Sequence, residues 1–181
     1  MPLGPDFQRL IAAAKTGAEW AWVVIYEDLA GPVTAYLAAQ GAAEPEDLAA
    51  EVFLQVARDV SAFEGDEKGF RSWLFVIAHR RLVDSWRAAN RRLQPTLNLD
   101  AIAEPPGGDV EEEALERLAG DQLVAALKSL TRDQRAVLSL RIIGNLTLAD
   151  TAIVLGRRVG AVKVLQRRAL IALEKIFKDR T

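Results

Sequence analysis

The chain lacks the residues on which many enzymes and metalloproteins depend. Its 181 residues include no cysteine and a single histidine, His79. Without cysteine there can be no disulfide bond and no cysteine-ligated zinc, and one histidine is too few for a histidine-rich metal site. A Ser-His-Asp arrangement would depend on His79, which lies inside a run of basic residues. The composition therefore argues against a metal site and against histidine-dependent catalysis.

Motifs for nucleotide binding and for export are also missing. The sequence contains neither GxxxxGK[ST] nor GxGxxG, and the acidic run Glu111–Glu113 is typical of a helix start rather than of paired catalytic carboxylates. The N-terminus, MPLGPDFQRL, has no basic start followed by an apolar run. The longest apolar runs, such as Trp20–Tyr26, are too short to span a bilayer. We predict a soluble cytoplasmic protein with no cofactor, no enzyme activity and no membrane insertion.

Charge is distributed along the chain in blocks. The overall formal charge is -2, but residues 1–67 carry a net -9, residues 68–92 carry +6, residues 93–127 carry -7 and residues 128–181 carry +8. Two basic blocks separated by an acidic block indicate two surfaces for a polyanion on one chain. The acidic blocks indicate that another face of the molecule meets a different partner, such as a protein.

Helical periodicity predicts an all-α protein with two small domains. Apolar residues recur at helical spacing over Phe7–Trp22, over Val23–Gln40 with an interruption or kink near Gly31-Pro32, from Pro45 to about Phe63, and over Phe70–Ala89. Helices are predicted again over Glu111–Leu130 and, capped by Thr131, over Arg132–Gly144. Between them, three prolines and a Gly-Gly pair predict a flexible linker. The predicted domains are residues 1–92 and 111–181, joined by the linker 93–110.

The stretch Leu146–Leu170 has the pattern of a helix-turn-helix. Thr147 is a candidate N-cap, and Gly156 can adopt the left-handed conformation that ends a first helix. A second helix starting near Val159 places Val162, Leu165, Ala169 and Leu173 on one apolar face, with basic residues roughly opposite. In a DNA-binding helix-turn-helix this second helix enters the major groove. Two amphipathic helices with a glycine between them also fit an ordinary αα-hairpin, but Gly156–Leu173 contains no acidic residue, which favours DNA.

Three segments resemble the extracytoplasmic-function sigma factors of the sigma-70 superfamily. PEDLAAEVFLQV (Pro45–Val56) resembles the part of sigma domain two that docks on the RNA polymerase β′ coiled coil. FRSWLFVIAHRRLVDSWRAANRR (Phe70–Arg92) resembles the helix that reads and opens the −10 promoter element. The segment Leu123–Phe177 resembles sigma domain four, the helix-turn-helix that reads the −35 element. The order and spacing of these segments make the resemblance specific.

The resemblance implies that the chain binds core polymerase through the β′ coiled coil and the β flap, contacts promoter DNA at two elements and is controlled by an anti-sigma factor. The −35 contacts are predicted at Arg157, Arg158, Lys163, Val164, Arg167 and Arg168. The −10 contacts are predicted at Arg71, Trp73, Arg80, Arg81, Arg87, Arg91 and Arg92. The core-polymerase contacts are predicted at Glu46, Asp47, Glu51 and Leu54.

Each assignment has a structural alternative. Trp73 and Phe70 could instead pack in a core, Trp86 could stack on a base or be buried, and the acidic helix could be a solvated face. Arg141 is either a further backbone contact or a surface charge, and Gln166 points toward the core side. For the whole chain, the alternatives are a stand-alone helix-turn-helix regulator with an N-terminal oligomerisation or sensing domain, and an all-helical interaction adaptor.

Overall fold

The helices begin and end at residues whose side chains or backbone favour a helix end. The computed structural model describes residues 6–93, 127 and 129–178, and no β-strand occurs within these ranges. Within the described ranges the seven α-helices are α1 (Phe7–Lys15), α2 (Glu19–Ala39), α3 (Pro45–Asp59), α4 (Glu67–Leu93), α5 (Arg132–Ile142), α6 (Leu148–Leu155) and α7 (Val159–Lys178), with a short 3₁₀ helix at Val60–Ala62. The predicted linker after Leu93 and most of the predicted helix Glu111–Leu130 lie outside the described residues.

The boundaries of the first two helices differ from those predicted. Gly17, with φ of +80°, ends the first helical stretch, and α2 begins at Glu19 rather than after Trp22. Of the interruption or kink predicted near Gly31-Pro32, the interruption is absent, because α2 continues through Pro32 to Ala39. A proline inside a helix costs about 3 kcal/mol. Burial outweighs this cost, since Ile25, Leu29, Val33 and Leu37 are all completely buried along one side of α2 and each contributes about 1.5–3 kcal/mol.

Helix α4 is the central element of the N-terminal bundle, which we define as α1–α4. Phe70, Leu74, Ala78 and Leu82 lie at helical spacing on α4 and are all completely buried. They join side chains of α1, α2 and α3 in one hydrophobic cluster. The side of α4 that is not buried therefore forms a narrow exposed stripe along the helix axis.

The three C-terminal helices form the predicted helix-turn-helix. Thr147 and Asp150 make a capping box at the start of α6, in which Thr147 Oγ1 accepts from Asp150 N at 3.1 Å. Gly156 has φ of 60° and ψ of 35°, so the left-handed turn between the helices is confirmed. Val162 and Ala169 are completely buried against α5 and α6, and Leu165 and Leu173 are half-buried beside them. We call α5–α7 the helix-turn-helix unit.

The helix-turn-helix unit packs directly on the N-terminal bundle. Leu140, Leu146 and Val154 belong to the same buried cluster as the core residues of α2 and α4, and α6 lies against α4. The sequence predicted two domains joined by a flexible linker and gave no indication of how they are oriented, so this shared core was not anticipated. The exposed surfaces of the two units are therefore fixed relative to one another in this structure.

None of the helices in the described ranges combines the length and the apolar character that a membrane-spanning segment requires.

Candidate nucleic-acid interface

The exposed face of α7 carries most of the residues predicted to contact the −35 element. Lys163, Arg167 and Arg168 on α7 and Arg158 just before it are all exposed, and Val164 exposes 49% of its surface. These residues lie away from Val162 and Ala169, which anchor α7 to the rest of the unit. Among the described residues, no acidic side chain forms an ion pair with any of these four cations. The face is therefore a basic surface whose charges are available to a polyanion.

Arg157 precedes α7 and differs from the other predicted −35 residues in having an ionic partner. Its guanidinium lies 2.6 Å from Asp133 Oδ2 on α5, and both side chains are about half exposed. The pair holds Arg157 across the start of α5 and lowers its local positive charge. A phosphate that approaches the start of α7 would have to compete with Asp133 for this guanidinium.

Arg141 serves an internal role that sequence reasoning left open. Its guanidinium donates to the carbonyl oxygen of Leu146 and, at 3.3 Å, to Gln166 Oε1 on α7. Because arginine has no acceptor, the amide oxygen of Gln166 must face it. Through these two hydrogen bonds, Arg141 links the turn before α6 to α7. Gln166 is half-buried on the core side, as the sequence predicted.

A second exposed face runs along α4. Trp73, Arg80, Arg87 and Arg91 are spaced by seven, seven and four residues, which places them on one side of the helix. The three arginines are exposed and Trp73 is half-buried. Arg87 also lies 3.4 Å from Asp84 on the same side. We call Trp73, Arg80, Arg87 and Arg91 the α4 arginine face.

Two of the other predicted −10 residues, Arg71 and Arg81, do not lie on this face. Arg71 is on the opposite side of α4, 8% exposed, with its guanidinium 3.0 Å from Asp28 Oδ2. The prediction that Arg71 contacts DNA phosphates from an exposed helix face does not fit this position. A buried arginine that is paired with a carboxylate belongs to the protein core. Arg81 turns toward α3, where it donates to Gln55 Oε1 at 2.8 Å and lies 3.5 Å from Glu51. The side chain of Arg92 is outside the described part of the chain.

Aromatic rings support the N-terminal end of the α4 arginine face. The Trp73 ring lies 5.3 Å from Phe63 and 5.7 Å from Phe70, measured between ring centroids. Phe70 is completely buried, whereas Trp73 keeps one side accessible. Phe70 is thus a core residue, and Trp73 combines core packing with an exposed edge. The adjacent loop is pinned by Gln8, whose amide donates to the Gly65 carbonyl at 3.1 Å.

The acidic helix α3 presents a different kind of surface. Asp47, Glu51 and Leu54 follow each other at spacings of four and three residues and are all exposed, with Leu54 59% exposed. Glu46 is also exposed and lies at the edge of this row. We call Asp47, Glu51 and Leu54 the α3 acidic face. An exposed leucine that continues a row of carboxylates is typical of a protein-binding surface rather than of a nucleic-acid site.

Sequence reasoning missed an apolar extension of this surface on α2. Tyr26 is 53% exposed, and its ring lies 5.0 Å from that of Phe53, the neighbour of Leu54. Val23, one turn earlier on α2, is 47% exposed. In the sequence, the run Trp20–Tyr26 indicated only that it is too short to span a membrane. That some of its side chains are exposed could have been inferred only from how α2 packs against α3.

Trp86 and His79 both lie where the two units meet. Trp86 is 8% exposed and lies under the guanidinium of Arg132, which is 4.2 Å from the centre of the ring. Trp86 is therefore buried between the units in this structure. His79 Nδ1 lies 2.8 Å from the Tyr36 hydroxyl. Burial lowers the pKa of His79, and the nearby Asp133 carboxylate opposes this effect.

The lowered pKa of His79 predicts a loss of stability in mild acid. In the unfolded chain, the His79 imidazole takes up a proton near pH 6.5. In the folded chain it takes up this proton at lower pH. In that interval the unfolded state binds more protons, so the free energy of unfolding falls as the pH falls below about 6.5. Urea unfolding of the wild type and of His79→Gln between about pH 7.5 and about pH 5.5 measures this decrease in the free energy of unfolding. We expect a smaller decrease in His79→Gln, and an equal decrease in both proteins would contradict the assignment.

No group of three His, Asp or Glu side chains within the described residues is arranged to hold a metal ion. The chemistry of the two basic faces is instead that of electrostatic binding. Arginine can bind phosphate or the guanine edge bidentately, and a valine such as Val164 can pack on a thymine methyl group.

Family models and known proteins are similar to this chain along most of its length. The sigma-70 region 2 model matches residues 25–92, and the sigma-70 region 4 model matches residues 120–173. The chain is 30% identical over 173 residues to the ECF RNA polymerase sigma factor BldN of Streptomyces coelicolor, covering 94% of this chain and 66% of BldN. It therefore spans about two thirds of the length of that relative.

Two further relatives are covered more completely. The ECF RNA polymerase sigma factor ShbA of Streptomyces griseus is 34% identical over 137 residues, which is 74% of this chain and 72% of ShbA. The ECF RNA polymerase sigma factor SigK of Mycobacterium tuberculosis is 30% identical over 131 residues, which is 71% of this chain and 69% of SigK.

Solved structures share the fold. The structure of CnrH in complex with the cytosolic domain of CnrY matches with a TM-score of 0.68 and 19% identity, covering 97% of this chain and 99% of CnrH. The sigma factor RpoE of Bartonella quintana, in complex with the anti-sigma factor NepR, matches with a TM-score of 0.65 and 21% identity, covering 84% and 94% of the two chains.

Proposed function

Because this chain belongs to the ECF sigma factors of the sigma-70 family, which direct promoter-specific transcription initiation, we propose which of its surfaces binds each partner in that process. Residues 1–92 form the unit that binds core polymerase and opens the −10 element. Residues 111–181 form the unit that reads the −35 element. The segment 93–110 joins them.

The −35 element binds the exposed side of α7. Lys163 and Arg167 contact phosphates or guanine, and Val164 packs on a thymine methyl group between them. Arg158 and Arg168 position the helix through the phosphate backbone. Arg157 contributes once phosphate displaces Asp133 from its guanidinium. This proposal is supported by the exposure of these side chains and by the absence of acidic residues from Gly156–Leu173.

The −10 element binds the α4 arginine face. Opening a promoter requires that a bare strand be held after its bases leave the stack, and a basic groove with an aromatic side chain meets this requirement. Arg80, Arg87 and Arg91 neutralise the backbone, and the exposed edge of Trp73 contacts a base. Arg71 positions α4 through its buried pair with Asp28 and does not touch DNA. Arg81 holds α4 against α3 through Gln55 and Glu51.

The α3 acidic face, with Glu46 at its edge, binds the β′ coiled coil of core polymerase, and the helix-turn-helix unit binds the β flap. Two of the similar structures contain a second protein, CnrY in one and the anti-sigma factor NepR in the other, so an anti-sigma factor is a further proposed partner. The chain acts in the cytoplasm, has no cofactor and has no enzyme activity of its own.

The observation that carries the proposal is the presence of two exposed basic faces, on α4 and α7, in one chain that also presents an acidic protein-binding face on α3. Run-off transcription with core polymerase and a randomised promoter library tests it. We expect transcripts only when both the chain and core enzyme are present. The selected promoters should share two conserved elements at a fixed spacing.

The same experiment separates the proposal from a stand-alone regulator. A regulator would bind duplex promoter DNA tightly without polymerase and would select a palindrome. We expect weak binding to duplex DNA by the chain alone. Tight, polymerase-independent binding together with no transcription would contradict the proposed function.

A further inference from the structure

Arg141 connects two parts of the helix-turn-helix unit through hydrogen bonds from a single rigid group. It lies in the last turn of α5 and is half-buried. Its Nη1 group donates to the carbonyl oxygen of Leu146, and its Nε–H donates to Gln166 Oε1 on α7 at 3.3 Å. Because a guanidinium is planar and its donors have fixed directions, the two bonds fix the positions of their acceptors relative to each other.

Leu146 is a firm attachment point for the first of these bonds. Its side chain is buried, and its N–H donates to the Leu140 carbonyl oxygen at 3.1 Å. Leu146 also lies directly before Thr147, the N-cap of α6. Arg141 is therefore held against the turn that begins α6, and its bond to Gln166 links α7 to the same turn.

The apolar contacts of α7 hold it against α5 and α6 but constrain its rotation only weakly. Val162 and Ala169, the completely buried residues among the described side chains of α7, are both short. Apolar burial is non-directional, whereas a hydrogen bond weakens steeply when its angle changes. Gln166 lies four residues after Val162 and three before Ala169, so it shares their side of the helix. The bond from Arg141 to Gln166 therefore adds a directional constraint on the rotation of α7.

The rotation of α7 decides where the side chains that are proposed to contact the −35 element point. Lys163 precedes Gln166 by three residues, Arg167 follows it directly, and both are exposed. A helix with its side chains has a radius of about 5–6 Å, so a rotation of about 20° would move a surface atom by about 2 Å. Hydrogen bonds from N–H to oxygen form only over about 2.7–3.2 Å. Such a shift would therefore break contacts with base edges, which are the contacts that read sequence.

We propose that Arg141 is a positioning residue for −35 recognition, which orients α7 through Gln166 and does not itself contact DNA. This inference rests on the proposed function, because the orientation of α7 matters only if α7 reads the −35 element. All of the bonds involved lie within α5–α7. Two other roles for Arg141 give different experimental results: a direct contact with a DNA phosphate, and a contribution to stability alone.

The salt dependence of promoter binding by the full chain with core polymerase separates positioning from a phosphate contact. Arg141→Met removes the donors, and Gln166→Met removes the acceptor without changing any charge. We expect each to lower the affinity for a promoter with a −35 element about tenfold, and the double variant to lose no more than either single variant, because both remove the same bond. The salt slope should stay close to that of the wild type. In the control Arg168→Met, which loses an exposed cation, the slope should decrease by about one. The same decrease in Arg141→Met would overturn the inference.

Selection from a promoter library with a randomised −35 element separates positioning from stability alone. Loss of a phosphate contact weakens binding about equally for all sequences, so Arg168→Met should select the same element as the wild type. Arg141→Met and Gln166→Met should both select one altered, less sharply defined element. If both variants are less stable to urea but select the wild-type element, Arg141 only stabilises the fold and the inference is wrong. If Arg141→Met does not fold, Gln166→Met still decides, because it removes the same bond from the other partner.

Run-off transcription by Lys163→Glu/Arg167→Glu, measured beside these variants, separates a failure of this inference from a failure of the proposed function. If the double reversal loses transcription while Arg141→Met and Gln166→Met bind and select like the wild type, only the positioning role is wrong. If the double reversal leaves transcription unchanged, α7 does not read the promoter, and the proposed role of α7 and this inference are both wrong.

Discussion

Reversing two charges on α7 is expected to abolish most transcription from promoters that depend on the −35 element. In Lys163→Glu/Arg167→Glu, two exposed cations that are proposed to contact DNA become anions. A lost arginine–base contact costs about 1–3 kcal/mol, and each 1.4 kcal/mol is about tenfold in an equilibrium constant. We therefore expect transcription to fall about 100-fold in a run-off assay. Because both side chains are exposed, thermal stability should remain close to that of the wild type.

Lys175→Glu is the control for this double variant. Lys175 is exposed on the same helix but lies eight residues beyond Arg167, about 12 Å farther along the axis. Reversing the charge of Lys175 should lower transcription far less than the double reversal does.

The loss of phosphate contacts in the double variant should also make promoter binding less dependent on salt. The slope of the logarithm of the binding constant against the logarithm of the salt concentration should decrease by about one for each lost contact. Wild-type transcription by Lys163→Glu/Arg167→Glu would show that α7 does not read the promoter.

Placing a positive charge at Leu54 is expected to weaken the binding of the chain to core polymerase. Leu54 is 59% exposed at the C-terminal end of the α3 acidic face, so the fold should tolerate Leu54→Lys. A central apolar residue of a protein interface commonly contributes 2 kcal/mol or more to binding. We expect the affinity for core polymerase to fall at least about tenfold. Competition binding against the labelled wild-type chain measures this change.

Ala12→Lys is the matched control for Leu54→Lys. Ala12 is an exposed apolar position on α1, away from the α3 acidic face, and gains the same charge. It should bind core polymerase like the wild type. If Leu54→Lys also binds normally, α3 is not the docking helix, and the exposed side chains of Tyr26 and Val23 on α2 become the next candidates.

Several parts of the candidate sites were predictable because their signals are local. Thr147 and Asp150 lie within one turn of each other, and their capping box is visible in the sequence. The turn at Gly156 and the apolar side of α7 follow from the residue type and from the helical period. The exposure of Lys163, Val164 and Arg167 therefore agrees with the prediction. The row formed by Arg80, Arg87 and Arg91 follows from the same periodicity.

Other parts depended on partners far away in the sequence. Arg71 belongs to the same basic run as Arg80, but Asp28, 43 residues earlier, draws it into the core. Arg81 is adjacent to Arg80, yet it turns to Glu51 and Gln55 on α3. Successive residues of a helix point about 100° apart, so one of two neighbouring arginines can lie at the surface while the other lies in the interior. Only the packing of α4 on its neighbours decides which arginine serves which role.

The sequence by itself determined an all-helical chain, the helix-turn-helix and the two basic blocks, because helix caps, glycine turns and apolar periodicity act over a few residues. Only the tertiary structure decided which arginines face solvent, and that Gln40 meets Ser139, 99 residues later. The physical reason is that burial is a property of two surfaces in contact, whereas a sequence pattern describes only one of them. The docking of the helix-turn-helix unit on α4 is therefore information that the folded chain carries and the sequence pattern does not.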